Sequence, residues 1–245
     1  MARSEQTPGS GTIYVALGDS ISIDLYAGGP GRGAASLLAR NRDDDFPEWR
    51  DRDLASRGDI RFHLLASDGA TCRTVLDDQM PRLASLGLAP TVVTLTIGGN
   101  DLLGAYGQTA YALAVVGDVA EAVHGMLEEL RRLMPTYGRV VVGTVYDPSD
   151  GTGDAYRLGL PAWPEGVEVL AQLNSTLVAL ALEHGASVAD IHGRFLGHGL
   201  LAGDPWQPSA RPPERDLWYC NLIEPNAWGA SQVRAAFWEA LHREP

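Results

Sequence analysis

The sequence predicts an α/β fold, a three-layer sandwich with a five-stranded parallel sheet between helices. Three observations carry that expectation. Five short, continuous apolar runs, at 12–17, 61–66, 91–97, 139–145 and 186–191, have the length of buried strands. Stretches with helical apolar spacing lie between and after them, and strands alternating with helices argue for a parallel sheet covered on both faces. At 245 residues and 45% hydrophobic content the chain is long enough for one sizeable core.

The first run, 12–17, is bounded by Gly11 and Gly18. Residues 24–60 are mixed, with a Gly-rich stretch at 28–33 and a charged one at 42–53. The run at 91–97 is rich in Val, Thr and Ile. Asp118 with Glu121 forms a capping-box pattern, so a helix is expected to start there. Val119, Val123, Leu127, Leu130 and Met134 continue it, and Pro135 stops it. Val169, Leu170, Leu173, Leu177 and Leu180 mark a second helix. Val233, Ala236, Phe237, Ala240 and Leu241 mark the last. Residues 146–164 and 203–216 read as Gly/Pro/Asp loops. No internal repeat or linker divides the chain, so one domain is expected over 12–243, behind a flexible tail at 1–11.

Composition narrows the chemistry. Thirty-one acidic against 19 basic residues give a net charge of −12, which repels phosphate backbones and anionic membranes, so no nucleic acid is expected as partner. The basic residues are all Arg, which excludes Schiff-base, phosphate-loop and kinase-type lysines. Two cysteines, Cys72 and Cys220, cannot build a four-cysteine zinc site, and no CxxC pair occurs. No uninterrupted apolar run approaches the ~18 residues of a membrane span, and the polar N-terminus lacks the apolar segment of a secretory signal. A cytoplasmic protein is the expectation. The Gly29–Ala34 stretch only loosely resembles a dinucleotide fingerprint and stands a dozen residues beyond the first strand. The acidic stretch from Asp147 to Asp154 lacks the glycine position and closing Glu of a calcium loop. Neither HExxH nor Gly-x-Ser-x-Gly occurs.

In an open parallel sheet, ligands bind beyond the carboxyl ends of the strands. There the sequence reads Gly18-Asp19-Ser20 after the first strand, Ser67-Asp68-Gly69 after the second and Gly98-Gly99-Asn100-Asp101 after the third. Singly, each is ordinary turn chemistry. Together they supply the parts of an acyl-transfer site. Ser20 can attack a carbonyl, while its own N–H, the Gly69 N–H and the Asn100 side chain can bind the oxyanion.

With these residues the sequence resembles the SGNH (GDSL) esterases and lipases over about 12–243. Gly18-Asp19-Ser20 matches the family's first block, Gly69 the glycine of the second, and Gly98-Gly99-Asn100-Asp101 the third. The resemblance implies a flavodoxin-like sheet of order 2-1-3-4-5, a small-molecule ester substrate, and neither metal nor organic cofactor. It does not fix the oligomeric state. It also implies Ser20 as nucleophile and Ser20, Gly69 and Asn100 as oxyanion donors.

The fourth block departs from the family. Its usual Asp-x-x-His is followed by Pro-Asn; here Asn221-Leu222-Ile223-Glu224 precedes Pro225-Asn226, so Glu224 stands at the position of the His and Asn221 at that of the Asp. Three readings compete. In the first, Glu224 is the general base, oriented by Asn221. An unperturbed Glu titrates ~2 units below His and is a base weaker by ~3 kcal/mol. An apolar pocket from Trp218, Leu222, Ile223 and Trp228 can recover part of that gap. In the second, another His serves. The family topology puts His192 about 14 Å away and His63 about 13 Å down its strand. His124, His184 and His242 fall on expected helices, leaving His198. In the third, hydrolysis is lost and the same fold binds a ligand. Cys72 and Cys220 flank the site in the family fold, as two buried thiols or, in an oxidising compartment, as a disulfide.

Overall fold

A computed structural model describes residues 11–156, 159–202, 217–221 and 223–243. The tail at 1–10, the loop at 203–216 and Leu222 lie outside the described residues. Five parallel strands, β1 (Thr12–Gly18), β2 (Ile60–Leu64), β3 (Val92–Thr96), β4 (Arg139–Gly143) and β5 (Ser187–Ala189), pair in the order β2-β1-β3-β4-β5. The chain leaves β1 for β2 on one side and then returns to β3 on the other. The carboxyl ends of β1 and β3 therefore flank the switch in strand order, where such sheets bind ligands. The strands are a residue or more shorter at several ends than the apolar runs, because apolar residues such as Leu65, Ala66 and Ile97 stay buried after the ladder stops.

The helices are α1 (Ala34–Ala39), α2 (Cys72–Thr74), α3 (Met80–Ser85), α4 (Gly99–Leu103), α5 (Thr109–Leu133), α6 (Glu165–Glu183), α7 (Ile191–Phe195) and α8 (Ala227–His242). Alternation along β1 sorts its side chains between the two layers. Val15 and Leu17 join Val93, Leu95 and Val142 against Met80, Leu83, α5 and α6. Tyr14 and Ala16 join Val141 against Ala35, Leu38, Phe195, Val233 and Phe237.

The expected helix start at Asp118 is corrected. α5 begins nine residues earlier, at Thr109, because Ala112, Val115 and Val116 extend the buried stripe upstream; Asp118 is exposed in mid-helix and caps nothing. By length and composition alone α5 passes as a membrane span, but its apolar stripe packs on the sheet, as that of a core helix does. An unexpected antiparallel hairpin, β6 (Tyr219–Cys220) with β7 (Glu224–Pro225), precedes α8 and delivers Glu224.

Candidate active site

At the end of β1 only glycine fits. Gly18 has φ 117°, and a Cβ there would meet the Thr96 carbonyl oxygen at 1.9 Å. Its peptide is held at both ends by the buried Gln79. The Gly18 N–H donates to Oε1 at 2.7 Å, and Nε2 donates to the Gly18 oxygen at 2.8 Å. Gln79 reaches this position from a π-helical stretch, Val75–Gln79, an inserted wide turn of the kind that marks functional sites. The next residue, Asp19, accepts the Ile21 N–H at 3.2 Å and caps the short 3₁₀ turn Ser20–Ser22. Burial pushes the Asp19 carboxyl up to about 7, with the nearby Glu224 charge adding to the rise. Ser20 is thus the first residue of a capped turn, at the carboxyl edge of the sheet.

The oxyanion candidates are tied to one another. Gly69 (φ 66°) sits in a turn closed by the Ala70 N–H donating to the Ser67 oxygen at 3.3 Å. Gly98 (φ 100°) turns the chain from β3 into α4, and Asn100 lies on the first turn of that helix. Asn100 Nδ2 donates to the Ala70 oxygen at 3.0 Å, which occupies one of its two N–H bonds and leaves the second. Its neighbour Asp101 accepts the Cys72 N–H at 3.1 and 3.2 Å, so the second and third blocks are bonded side by side. Among the described residues no acceptor takes the backbone N–H of Ser20 or Gly69.

Glu224 stands on β7, which packs on the Ser20–Ser22 turn. Its carboxyl is raised by burial, lowered by the Ser20 hydroxyl and raised by the Asp68 charge. One of its oxygens, Oε2, is buried without a partner among the described residues. Asn221 does not take the orienting place the sequence suggested. It is exposed and adopts φ 43° at the turn of the hairpin, and no hydrogen bond joins it to Glu224 among the described residues. The suggested apolar walls also differ. Trp218 stacks on His198 with ring centroids 3.4 Å apart, and Trp228 is 57% exposed beside Phe46. Ile223 does line the cleft beside Ser20, and Tyr146 donates to the Ile223 oxygen at 2.6 Å.

His198 and His192 are engaged elsewhere. His198 is buried against Trp218; His192 Nδ1 lies 3.2 Å from the Val145 oxygen. Cys72 and Cys220 are both free thiols, so the disulfide is not formed. The Cys220 thiol donates to the Tyr26 oxygen at 3.5 Å, and burial pushes the Cys72 thiol up. The acidic 147–154 stretch is a self-bonded loop. Asp147 accepts from Ser149 and Gly151, and Asp150 accepts the N–H groups of Gly197, Gly199 and Leu201.

A mainly apolar cleft of about 160 Å³ opens from Ser20 and Asn100. Leu102, Tyr106, Leu160, Trp163, Val167 and Leu170 form its walls. The sequence reading missed Gln79, Asp101 and Tyr26. Gln79 carried a signal, a polar residue among the apolar positions Val75, Met80 and Leu83. Tyr26 carried none; its hydroxyl donates to both oxygens of Asp68 at 3.1 Å, linking the Gly69 turn to the hairpin.

A search of curated proteins gives no match. Among solved structures, the acetylxylan esterase Axe2 of Geobacillus stearothermophilus superposes with TM-score 0.63 at 16% identity, covering 96% of both chains. Phospholipase A1 of Streptomyces albidoflavus NA297 gives TM-score 0.59 at 24% identity, over 94% of this chain and all (100%) of that one. A lipolytic G-D-S-L family protein of Veillonella parvula gives 0.58 at 19%, over 95% and 100%. At such identities the likeness is one of fold. The model of the GDSL-like lipase/acylhydrolase family matches residues 16–230, a span that runs from within β1 through the Gly-Asp-Ser turn to Glu224 and into α8, and the chain belongs to that family.

Proposed function

We propose that the chain hydrolyses carboxylic esters of apolar acyl groups through an acyl-enzyme on Ser20, with Glu224 as general base. The observation that carries the reading is the packing of β7, which bears the half-buried Glu224, on the turn that begins with Ser20; burial has raised that carboxyl's affinity for protons. Glu224 takes the hydroxyl proton as Ser20 Oγ bonds to the acyl carbon. The Ser20 and Gly69 N–H groups and the free Asn100 N–H hold the oxyanion, each donor supplying roughly 3 kcal/mol of barrier lowering. Protonated Glu224 returns its proton to the leaving alkoxide. Water then gives a proton to Glu224, attacks the acyl carbon and releases the acid, and the proton returns to Ser20.

The cleft supports an apolar acyl group of modest length. A volume of about 160 Å³ walled by Leu, Val, Tyr and Trp has room for a group on the scale of benzene. That supports acyl groups of butyrate to hexanoate size over acetate or palmitate.

The test is release of p-nitrophenol from acetate, butyrate, hexanoate and palmitate esters. Butyrate or hexanoate is expected to have the highest kcat/KM. Ser20→Ala is expected to abolish release, and Glu224→Gln to lower kcat by roughly two or more powers of ten. Glu224→His is expected to keep part of the activity. No release by the unaltered chain would leave a non-hydrolytic ligand pocket as the reading. An indifferent Glu224→Gln would remove the base assignment alone.

A further inference from the structure

Away from Ser20, two histidines and a glutamate converge where α5 meets the end of α6. His124 lies in the middle of α5; Glu183 ends α6 and His184 is its C-terminal cap. His124 Nδ1 and His184 Nε2 are 3.0 Å apart, with the rings at 75°. One ligand atom from each of His124, Glu183 and His184 lies within 4.8 Å of the other two. α6 runs antiparallel to the strands it covers, so its C-terminus, three residues before β5 begins, is at the edge of the sheet opposite Ser20.

A hydrogen bond between the imidazoles would use one nitrogen of each ring and give Glu183 no part. A cation uses all three groups. With zinc–nitrogen bonds of about 2.0–2.1 Å, two imidazole nitrogens on a tetrahedral ion stand about 3.3 Å apart, a few tenths of an ångström beyond the spacing present. The exposed Glu183 side chain can close the remaining distance by changing rotamer. Two further features favour positive charge. The C-terminal end of α6 carries the negative pole of its dipole. Glu128 Oε1 lies 3.9 Å from His124 Nε2, the nitrogen left over when Nδ1 ligates, and a small side-chain adjustment would bring it to the outer-carboxylate hydrogen bond that orients a ligating histidine. Arg132 is paired with Glu128 and Glu129, and Arg131 donates to the His184 carbonyl at 2.9 Å, which ties α5 to the end of α6.

We propose that His124, His184 and Glu183 form a divalent transition-metal site, zinc being the best match, that staples α5 to α6. Imidazole and carboxylate together suit zinc, and the fourth position is left to water. The site needs neither Ser20 nor Glu224, so its fate and that of the hydrolytic reading are separate.

The test titrates the untagged chain with Zn²⁺ against a chromophoric zinc indicator, and repeats thermal unfolding with and without Zn²⁺. One equivalent is expected to bind with a dissociation constant below about 100 μM and to raise the unfolding temperature, as a ligand of the folded state does. His124→Ala and His184→Ala are each expected to weaken binding at least about 100-fold and to abolish the thermal shift. Glu128→Gln, an outer-shell change, is expected to weaken it about tenfold. Co²⁺ gives a second readout through the visible absorption of a tetrahedral site, lost in either histidine variant. Binding weaker than about 100 μM, or tight binding that survives both histidine replacements, would overturn the proposal.

Discussion

At the scale of single residues, the site depends on backbone positions that tolerate substitution very differently. Gly18 and Gly69 both have positive φ, but an added Cβ meets the Thr96 oxygen at 1.9 Å in the first and nothing within 4 Å in the second. Gly69→Ala is therefore expected to lose only the left-handed penalty of about 1–2 kcal/mol. Gly18→Ala must also push β1 away from β3, at more than about 3 kcal/mol. Urea unfolding of the two variants checks this, and equal losses would refute it. Glu224 makes a second residue-scale prediction. Burial holds its carboxyl above the ordinary range, and a base works only when deprotonated. The acid limb of kcat/KM is expected above the usual Glu titration. A limb at an ordinary carboxylate value would show that Glu224 is solvated in the working enzyme.

At the scale of elements, the pieces read from the sequence were those whose signals are local. The five apolar runs and the α6 and α8 spacings became strands and helices, and the Gly-Asp-Ser, Gly69 and Gly-Gly-Asn-Asp segments fell at strand ends. What failed needed long-range knowledge. Asp118 looked like a cap because a capping box ignores what lies upstream; the stripe through Ala112 and Val115 overrode it. Gln79 became a clamp on Gly18 through pairing across 61 positions, which no local pattern encodes. The β6–β7 hairpin was illegible for a third reason. Its strands have two residues each, and its turn uses a non-glycine left-handed residue. That turn gives Asn221 a role different from hydrogen bonding to Glu224. If Asn221 serves the turn, Asn221→Gly, which relieves the left-handed strain, should keep kcat/KM within about threefold and leave the acid limb in place. Asn221→Val, β-branched at φ 43°, should destabilise the fold by about 1–2 kcal/mol or more and lower activity with it. A shifted acid limb in Asn221→Gly would restore a direct bond to Glu224.

Over the whole molecule, stability and catalysis are expected to pull apart with pH. Asp19 is fully buried and its carboxyl is pushed up to about 7; Glu224, Asp101 and Asp150 are raised as well, each chiefly by burial. A carboxyl that binds its proton more tightly folded than unfolded contributes stability that is complete below its unfolded pKa. That contribution is lost as pH rises to the folded value. For Asp19 the window runs from about pH 4 to 7, and the shift of roughly three units is worth on the order of 4 kcal/mol. Self-repulsion at a net charge of −12 acts in the same direction. Asp45, held low by its hydrogen bond from Arg42, acts in the opposite sense, but it is partly exposed and its window lies below the ordinary carboxylate pKa. Unfolding free energy is therefore expected to fall from pH 5 to pH 8, while activity, which needs ionised Glu224, rises with pH along its acid limb. Asp19→Asn keeps an acceptor for the Ile21 N–H and removes the titration. Its stability should vary much less between pH 5 and pH 8 than that of the unaltered chain. A native stability that is flat or rising across this interval, or a slope unchanged in Asp19→Asn, would show that Asp19 is already ionised in the folded protein at pH 5.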